Sequence, residues 1–253
     1  MVKKADLENG RNPDAGAARK AGSPRGEAKR RHILEVALRL FSECGYEGVS
    51  LRTIAEAASV DHPLVKYHFT NKDALWREAV RLLFERMDEE LAADHYERFS
   101  RNPARAFEDI IRALVRYNAR HPEHARLMVL ESVRDSERIR WAAETFIKRQ
   151  HASSGPWLEA SIAHGFLPDL PRHELVTMLN ALCHITFTLA PMVRHSWGVE
   201  IAGETQVEAH ADAVLAMLSS RYTAEARRQG AMRAGPKPIE VAHTQRKASL
   251  DFT

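Results

Sequence analysis

The 253-residue chain is 44% hydrophobic and 28% charged, which fits one large or two small globular domains and excludes a wholly disordered or fibrous chain. Its net charge of +3 hides a partition: residues 1–32 carry nine Lys/Arg against four Asp/Glu, residues 223–253 carry six against three, and the body between them is acidic. Basic ends of this kind attract polyanions.

Residues 1–26 are rich in Gly, Pro, Asn and Asp with almost no large apolar side chain, so a disordered basic arm is expected. They also lack the apolar run of a secretory signal. A first helix is predicted over 28–44, with Ile33, Leu34, Ala37, Leu38, Leu40 and Phe41 on its inward stripe and Gly45 as its stop. A second runs over 50–58 from the N-cap Ser50, and a short third over 62–69 from Asp61, with Pro63 in its first turn. A long fourth helix, capped by Asn71, spans 72–96. Further helices follow over 104–121, 122–133, 137–152, 155–164, 172–193 and 205–222, and a flexible basic tail over 223–253. The stretch 175–193 comes nearest to a membrane span, but Asn180, His184 and threonines interrupt it, so no membrane association is expected. The two cysteines, Cys44 and Cys183, both fall in helical patterns, which suits a reducing, cytoplasmic compartment.

Helices 50–58 and 62–69, joined by a tight turn, form a helix-turn-helix, a unit whose second helix can enter a major groove. Ile54, Ala55 and Ala58 allow close helix approach, Val60 and Val65 plug the space between, and Phe69 pins the third helix against the first near Phe41. The opposite face of the third helix then carries His62, Pro63, Lys66 and Tyr67 outward. Arg52, Thr53, Tyr67, His68 and Lys72 are candidates for phosphate contacts, with Arg31 adding attraction; His62, Pro63 and Lys66 sit where bases are read.

The run RHILEVALRLFSECGYEGVSLRTIAEAASVDHPLVKYHFTNKDALW, Arg31 to Trp76, resembles the N-terminal DNA-binding domain of the TetR family of bacterial transcriptional regulators. The resemblance rests on Ile33-Leu34, Ala37, Leu40-Phe41, Gly45-Tyr46, Thr53-Ile54-Ala55, Val60, Tyr67-His68-Phe69, Lys72 and Leu75 at fixed spacing. Ser59 stands where the family usually has glycine, Lys66 where tyrosine is common, and Pro63 where a small residue is common, so base preference does not transfer by analogy. Helix-period patterns throughout, with no run of alternating strand residues, predict an all-α protein, and the resemblance divides it into a helix-turn-helix domain (27–76) joined by a long helix to a helical ligand-binding and dimerisation domain (77–222). The resemblance also implies a homodimer that binds double-stranded DNA at a palindromic operator and is released by a small-molecule effector, in most members a repressor.

The helix from Arg172 is apolar nearly all round, and Val207, Ala211, Val214, Leu215 and Leu218 form a stripe on the last helix. Such faces fit a four-helix dimer interface or the central core of a monomer. Met128, Trp141, Phe146, Trp157, Phe166 and Phe187 can line an effector pocket with Glu131, Asn180 and His184 as polar anchors, or serve as plain core.

No metal site and no cofactor are expected. His121 and His124 flank Pro122 as exposed or capping residues, and Cys183 and His184 point to different helix faces. Nucleophile-elbow, Walker and dinucleotide-binding glycine motifs are missing, so an enzyme is not expected. The alternative to a regulator is a helical binding module that acts through protein contacts without sequence-specific DNA binding, a reading supported by Ser59 and Pro63.

Overall fold

The structure, a computed structural model, describes residues 24–91 and 101–218, and all its regular elements among these are helical. The expected N-terminal arm up to residue 23, the end of the long fourth helix and the C-terminal tail lie outside the described residues.

The head consists of α1 (Pro24–Cys44), α2 (Leu51–Ala57) and α3 (His62–His68), followed by α4 (Lys72–Leu91). Helix α1 starts earlier than the predicted residue 28. Glu27 in the first turn favours the positive end of the helix. Arg30 donates to Glu78 on α4 at 2.7 Å, fixing this turn against the body. Gly45 ends α1 in the left-handed region at φ 71°, its N–H bonded to the Phe41 carbonyl at 3.0 Å. Ser50 caps α2 through Oγ, which accepts from the Thr53 N–H at 3.0 Å, and Asn71 Oδ1 caps α4 by accepting from Ala74 at 2.8 Å. Asp61 holds the N-cap position of α3 but makes no side-chain cap bond, contrary to the sequence expectation. Pro63 has removed one of the N–H groups such a cap would reach, and the Leu64 N–H bonds the Asp61 carbonyl instead.

The body contains α5 (Pro103–Arg120), α6 (Pro122–Val133) and α7 (Glu137–Ala142). A π-helical turn (Ala143–Ile147) then carries the chain without a break into α8 (Lys148–Ser153). Helices α9 (Gly155–Ala163), α10 (Arg172–Thr188), α11 (Ala190–Trp197) and α12 (Glu204–Leu218) complete it. The single helix predicted over 172–193 is instead two, bent by 63°. Pro191 has no N–H for the Phe187 carbonyl and cannot continue the ladder. Arg126 on α6 takes up the carbonyls freed there, donating to Phe187 and Thr188 at 3.2 Å each. No single helix among the described residues is long and apolar enough to cross a membrane.

Two apolar cores result. The first joins Ile33, Phe41, Ile54, Val65, Trp76 and Phe84 of the head and α4, and it takes in Leu127, Ala142 and Phe146 from α6, α7 and the π turn. The helix-turn-helix is therefore not a separate bead, since its core runs into the body. The second core gathers Phe107, Ile111, Phe166, Leu175, Leu179 and Val214 from α5, the turn after α9, α10 and α12. Arg112, paired with Glu108 on its own helix, ties α5 to α12 through Glu208 and Asp212.

Candidate functional site

Two surfaces of different chemistry stand out: the outer face of α3 and a cavity in the helical body. Helix α3 is held by Val65, fully buried, and by Phe69 at its end. The turn before it reverses at Ser59, whose φ of 52° lies in the left-handed region. The His32 ring nitrogen Nε2 lies 3.1 Å from the Ala58 carbonyl and hydrogen-bonds it, tying that turn to α1. The Phe69 ring lies under the Arg30 guanidinium of α1, its centre 5.4 Å away.

With those side chains inward, Pro63, Lys66 and Tyr67 face solvent and His62 is half-buried. Tyr67 is 82% exposed, an unusual position for an aromatic side chain. At the start of α2, Arg52 is exposed and pairs with Glu56 at 2.9 Å. Thr53 Oγ1 lies 2.8 Å from Ser50 Oγ. Arg31 is exposed and pairs with Glu35 at 3.3 Å. His68 is half-buried, and burial, reinforced by the Arg30 charge, lowers its pKa, so it offers a neutral ring rather than a cation. The Lys72 ammonium sits 4.1 Å from the centre of the Tyr46 ring. A phosphate approaching α2 or α4 thus meets cations held by partners that can be exchanged for it.

Sequence reasoning named Tyr46 as a position of the resemblance without giving it a contact, and did not single out Arg138. Arg138 on α7 lies 3.8 Å from the Tyr46 ring centre, and its Nε donates to Glu131 at 3.0 Å. Glu131 is 1% exposed and also accepts from Ser136 Oγ at 2.6 Å. The sequence signal was thin: a buried Glu beside a Ser-x-Arg run at a helix start.

The cavity, about 530 Å³, lies among α4, α5, α6, α8, α9 and α10. Its walls are mostly apolar, with Phe84, Ile110 and Leu179 deep and Met128 and Trp157 partly exposed to it. Asn180 and His184 reach it from α10, and Asn118 and His124 from α5 and α6. His124 is buried, not exposed or capping as expected, because α6 turns it inward against Tyr117, whose hydroxyl shares a hydrogen bond with Nδ1 at 2.7 Å. Burial pushes the His124 pKa down to about 3 and lowers that of His184.

Four of the suggested pocket residues, Met128, Trp157, Asn180 and His184, thus share one cavity. Glu131, Trp141, Phe146 and Phe187 do not line it. Glu131 faces Arg138, and Trp141 packs on Trp76, with ring centres 5.9 Å apart. Phe146 stacks behind Phe84 at 4.6 Å, and Phe187 turns toward His210 at 5.2 Å. Phe166 stacks on Phe107 in the second core. Each follows the inward stripe of its helix into a packed core, a placement that composition cannot distinguish from pocket lining. Among the described residues no group of three or more His, Cys, Asp or Glu could hold a metal ion.

Residues 33–79 match the model of the family described as bacterial regulatory proteins, tetR family. The chain is 26% identical to the HTH-type transcriptional regulator RutR of Escherichia coli K12 over 181 residues, 70% of this chain and 82% of that one. It is 34% identical to the class D tetracycline repressor protein of Escherichia coli over 91 residues, 35% of this chain and 40% of the repressor. In structure it is similar to the hemolysin II transcriptional regulator HlyIIR (TM-score 0.55, 18% identity, 77% of this chain and 99% of that one). It is likewise similar to the fatty acid degradation regulator FadR of Bacillus halodurans (TM-score 0.54, 17% identity, 78% and 97%), and both likenesses carry the fold alone. An all-helical fold, a helix-turn-helix with an outward third helix and the family match over that same segment give residues 33–79 the DNA-binding domain of the TetR family of bacterial transcriptional regulators.

Proposed function

We propose that this protein is a dimeric, effector-responsive regulator, acting in the cytoplasm as a repressor, that reads a palindromic operator with α3. The carrying observation is the division of α3 into a fully buried side at Val65 and an outward side with Pro63, Lys66 and the largely exposed Tyr67. His62, Pro63 and Lys66 read base edges, while Arg52, Thr53, Tyr67, His68 and Lys72 hold phosphates and Arg31 adds attraction. The dimer reading is supported by apolar side chains that α10 and α11 leave uncovered, among them Met178 (56% exposed), Met192 (52%) and Trp197 (75%). The 27–76 reading head and the 77–222 effector and dimer body share one core, so a change in the body can move the head.

Genomic fragments incubated with the full chain at low salt should yield an enriched palindrome, with affinity falling steeply as salt rises. The bound species should have twice the chain mass by sedimentation. If no fragment is enriched at low salt, the regulator reading falls and a module acting through protein contacts replaces it.

A further inference from the structure

The charge inventory of the cavity restricts what can occupy it. Among the described residues no lysine or arginine lines it. The nearby arginines of α4 and α6 are committed elsewhere: Arg86 to Glu123 at 3.2 Å, and Arg126 to the carbonyls at the α10–α11 bend. Asp88 is the carboxylate on the lining, half-exposed and bound to Arg149 at 2.8 Å. Burial lowers the pKa of His124 and of His184, which favours their neutral rings. What remains is a mostly apolar chamber whose polar side chains, besides Asp88, are Tyr117, Asn118, Gln150, Ser153, Ser154, Asn180 and the imidazoles of His124, His151 and His184.

Resting on the reading that this cavity holds the effector, we propose that the effector is an uncharged, largely apolar molecule bearing a carboxamide- or carbonyl-type group, and that carboxylates are excluded. An anion buried here would lose its hydration, meet no lysine or arginine among the described lining residues and face the Asp88 carboxylate. A neutral amide loses far less on entry, and its donor and acceptor match the side chains present. A volume of about 530 Å³ fits a small organic molecule rather than a macromolecular segment.

The test titrates the full chain, without DNA, by calorimetry at neutral pH with two matched sets: octanamide, octanoate and octylamine, and 2-naphthamide, 2-naphthoate and 2-naphthylmethylamine. The amide should bind at least tenfold tighter than its carboxylate and ammonium counterparts. Val129→Lys, which places a cation on the wall of the cavity at a residue that is not one of its polar groups and is 40% exposed, should raise carboxylate affinity at least tenfold and leave the amide little changed. Carboxylate or ammonium binding as tight as the amide, or no amide bound in either set, overturns the proposal. DNA retention, assayed separately, reports on the regulator reading. A chain that binds DNA but prefers carboxylate keeps its function and loses this ligand class, whereas one that prefers amide but retains no DNA does the reverse.

Discussion

Arg138 holds its guanidinium 3.8 Å from the centre of the Tyr46 ring while its Nε donates to the buried Glu131 carboxylate at 3.0 Å. One side chain therefore joins the loop between α1 and α2 of the reading head to the end of α6, the helix that supplies Met128 to the cavity.

Removing Arg138 leaves Glu131 charged and buried without its cation. Arg138→Ala should destabilise the protein by about 3–5 kcal/mol in urea unfolding, because an unpaired buried charge costs far more than the pair gives. The double variant Glu131→Gln/Arg138→Ala should recover a substantial part of that loss. A cost under about 1 kcal/mol for Arg138→Ala would show that the pair is not what fixes the head to the body.

Lys66 and Tyr67 separate DNA binding from stability. Both face solvent, so Lys66→Ala and Tyr67→Ala should change folding free energy by no more than about 0.5 kcal/mol. If Lys66 reads a base, its loss should cost about 1–3 kcal/mol of operator affinity and relax the sequence preference at one position. Uniform weakening across all sequences, with a shallower salt dependence, would make Lys66 a phosphate contact instead.

Ser59 occupies a left-handed conformation at φ 52°, which a residue with a Cβ adopts at a cost of about 1–2 kcal/mol. Ser59→Gly should stabilise the protein by about 0.5–1 kcal/mol, part of the gain being offset by the freer unfolded chain. Ser59→Val should destabilise it. Equilibrium unfolding of both variants reads the difference, and a destabilising glycine would argue that the serine side chain stabilises the turn.

His124 links stability to pH. Its folded pKa, lowered to about 3 by burial and then by the charges of His121, His184 and Arg86, lies well below the ordinary histidine value of 6.5. The unfolded state therefore binds the proton first, and stability is lost as pH falls from about 6.5 toward 3, by up to about 1.4 kcal/mol per pH unit. His184 and His210, also lowered by burial, add in the same direction. Unfolding free energies at pH 5, 6 and 7 should show this slope, and His124→Gln should flatten it by the equivalent of one proton.

Much of the head was legible in the linear sequence because its determinants are local. Ser50 and Asn71 cap the helices they precede, Gly45 stops α1 with a positive φ, and Val65 faces inward while Lys66 and Tyr67 face out. Each follows from helix periodicity and backbone chemistry within a few residues. Pro191 was equally local, yet the bend it causes was missed because the apolar pattern runs on through it.

The body was legible as helices but not as a site. Trp157, Asn180 and His184 meet Met128 across a cavity only because α6, α9 and α10 pack side by side. Glu131, Trp141, Phe146 and Phe187 have the same composition but lie on faces that packing turned elsewhere. The sequence alone determined an all-helical chain with a helix-turn-helix and an outward cationic, aromatic third helix, since those depend on spacing along one strand of backbone. Tertiary structure decided which polar groups face the cavity, that no described lysine or arginine lines it, and that Arg138 clasps Tyr46, since these depend on how distant helices are rotated against one another.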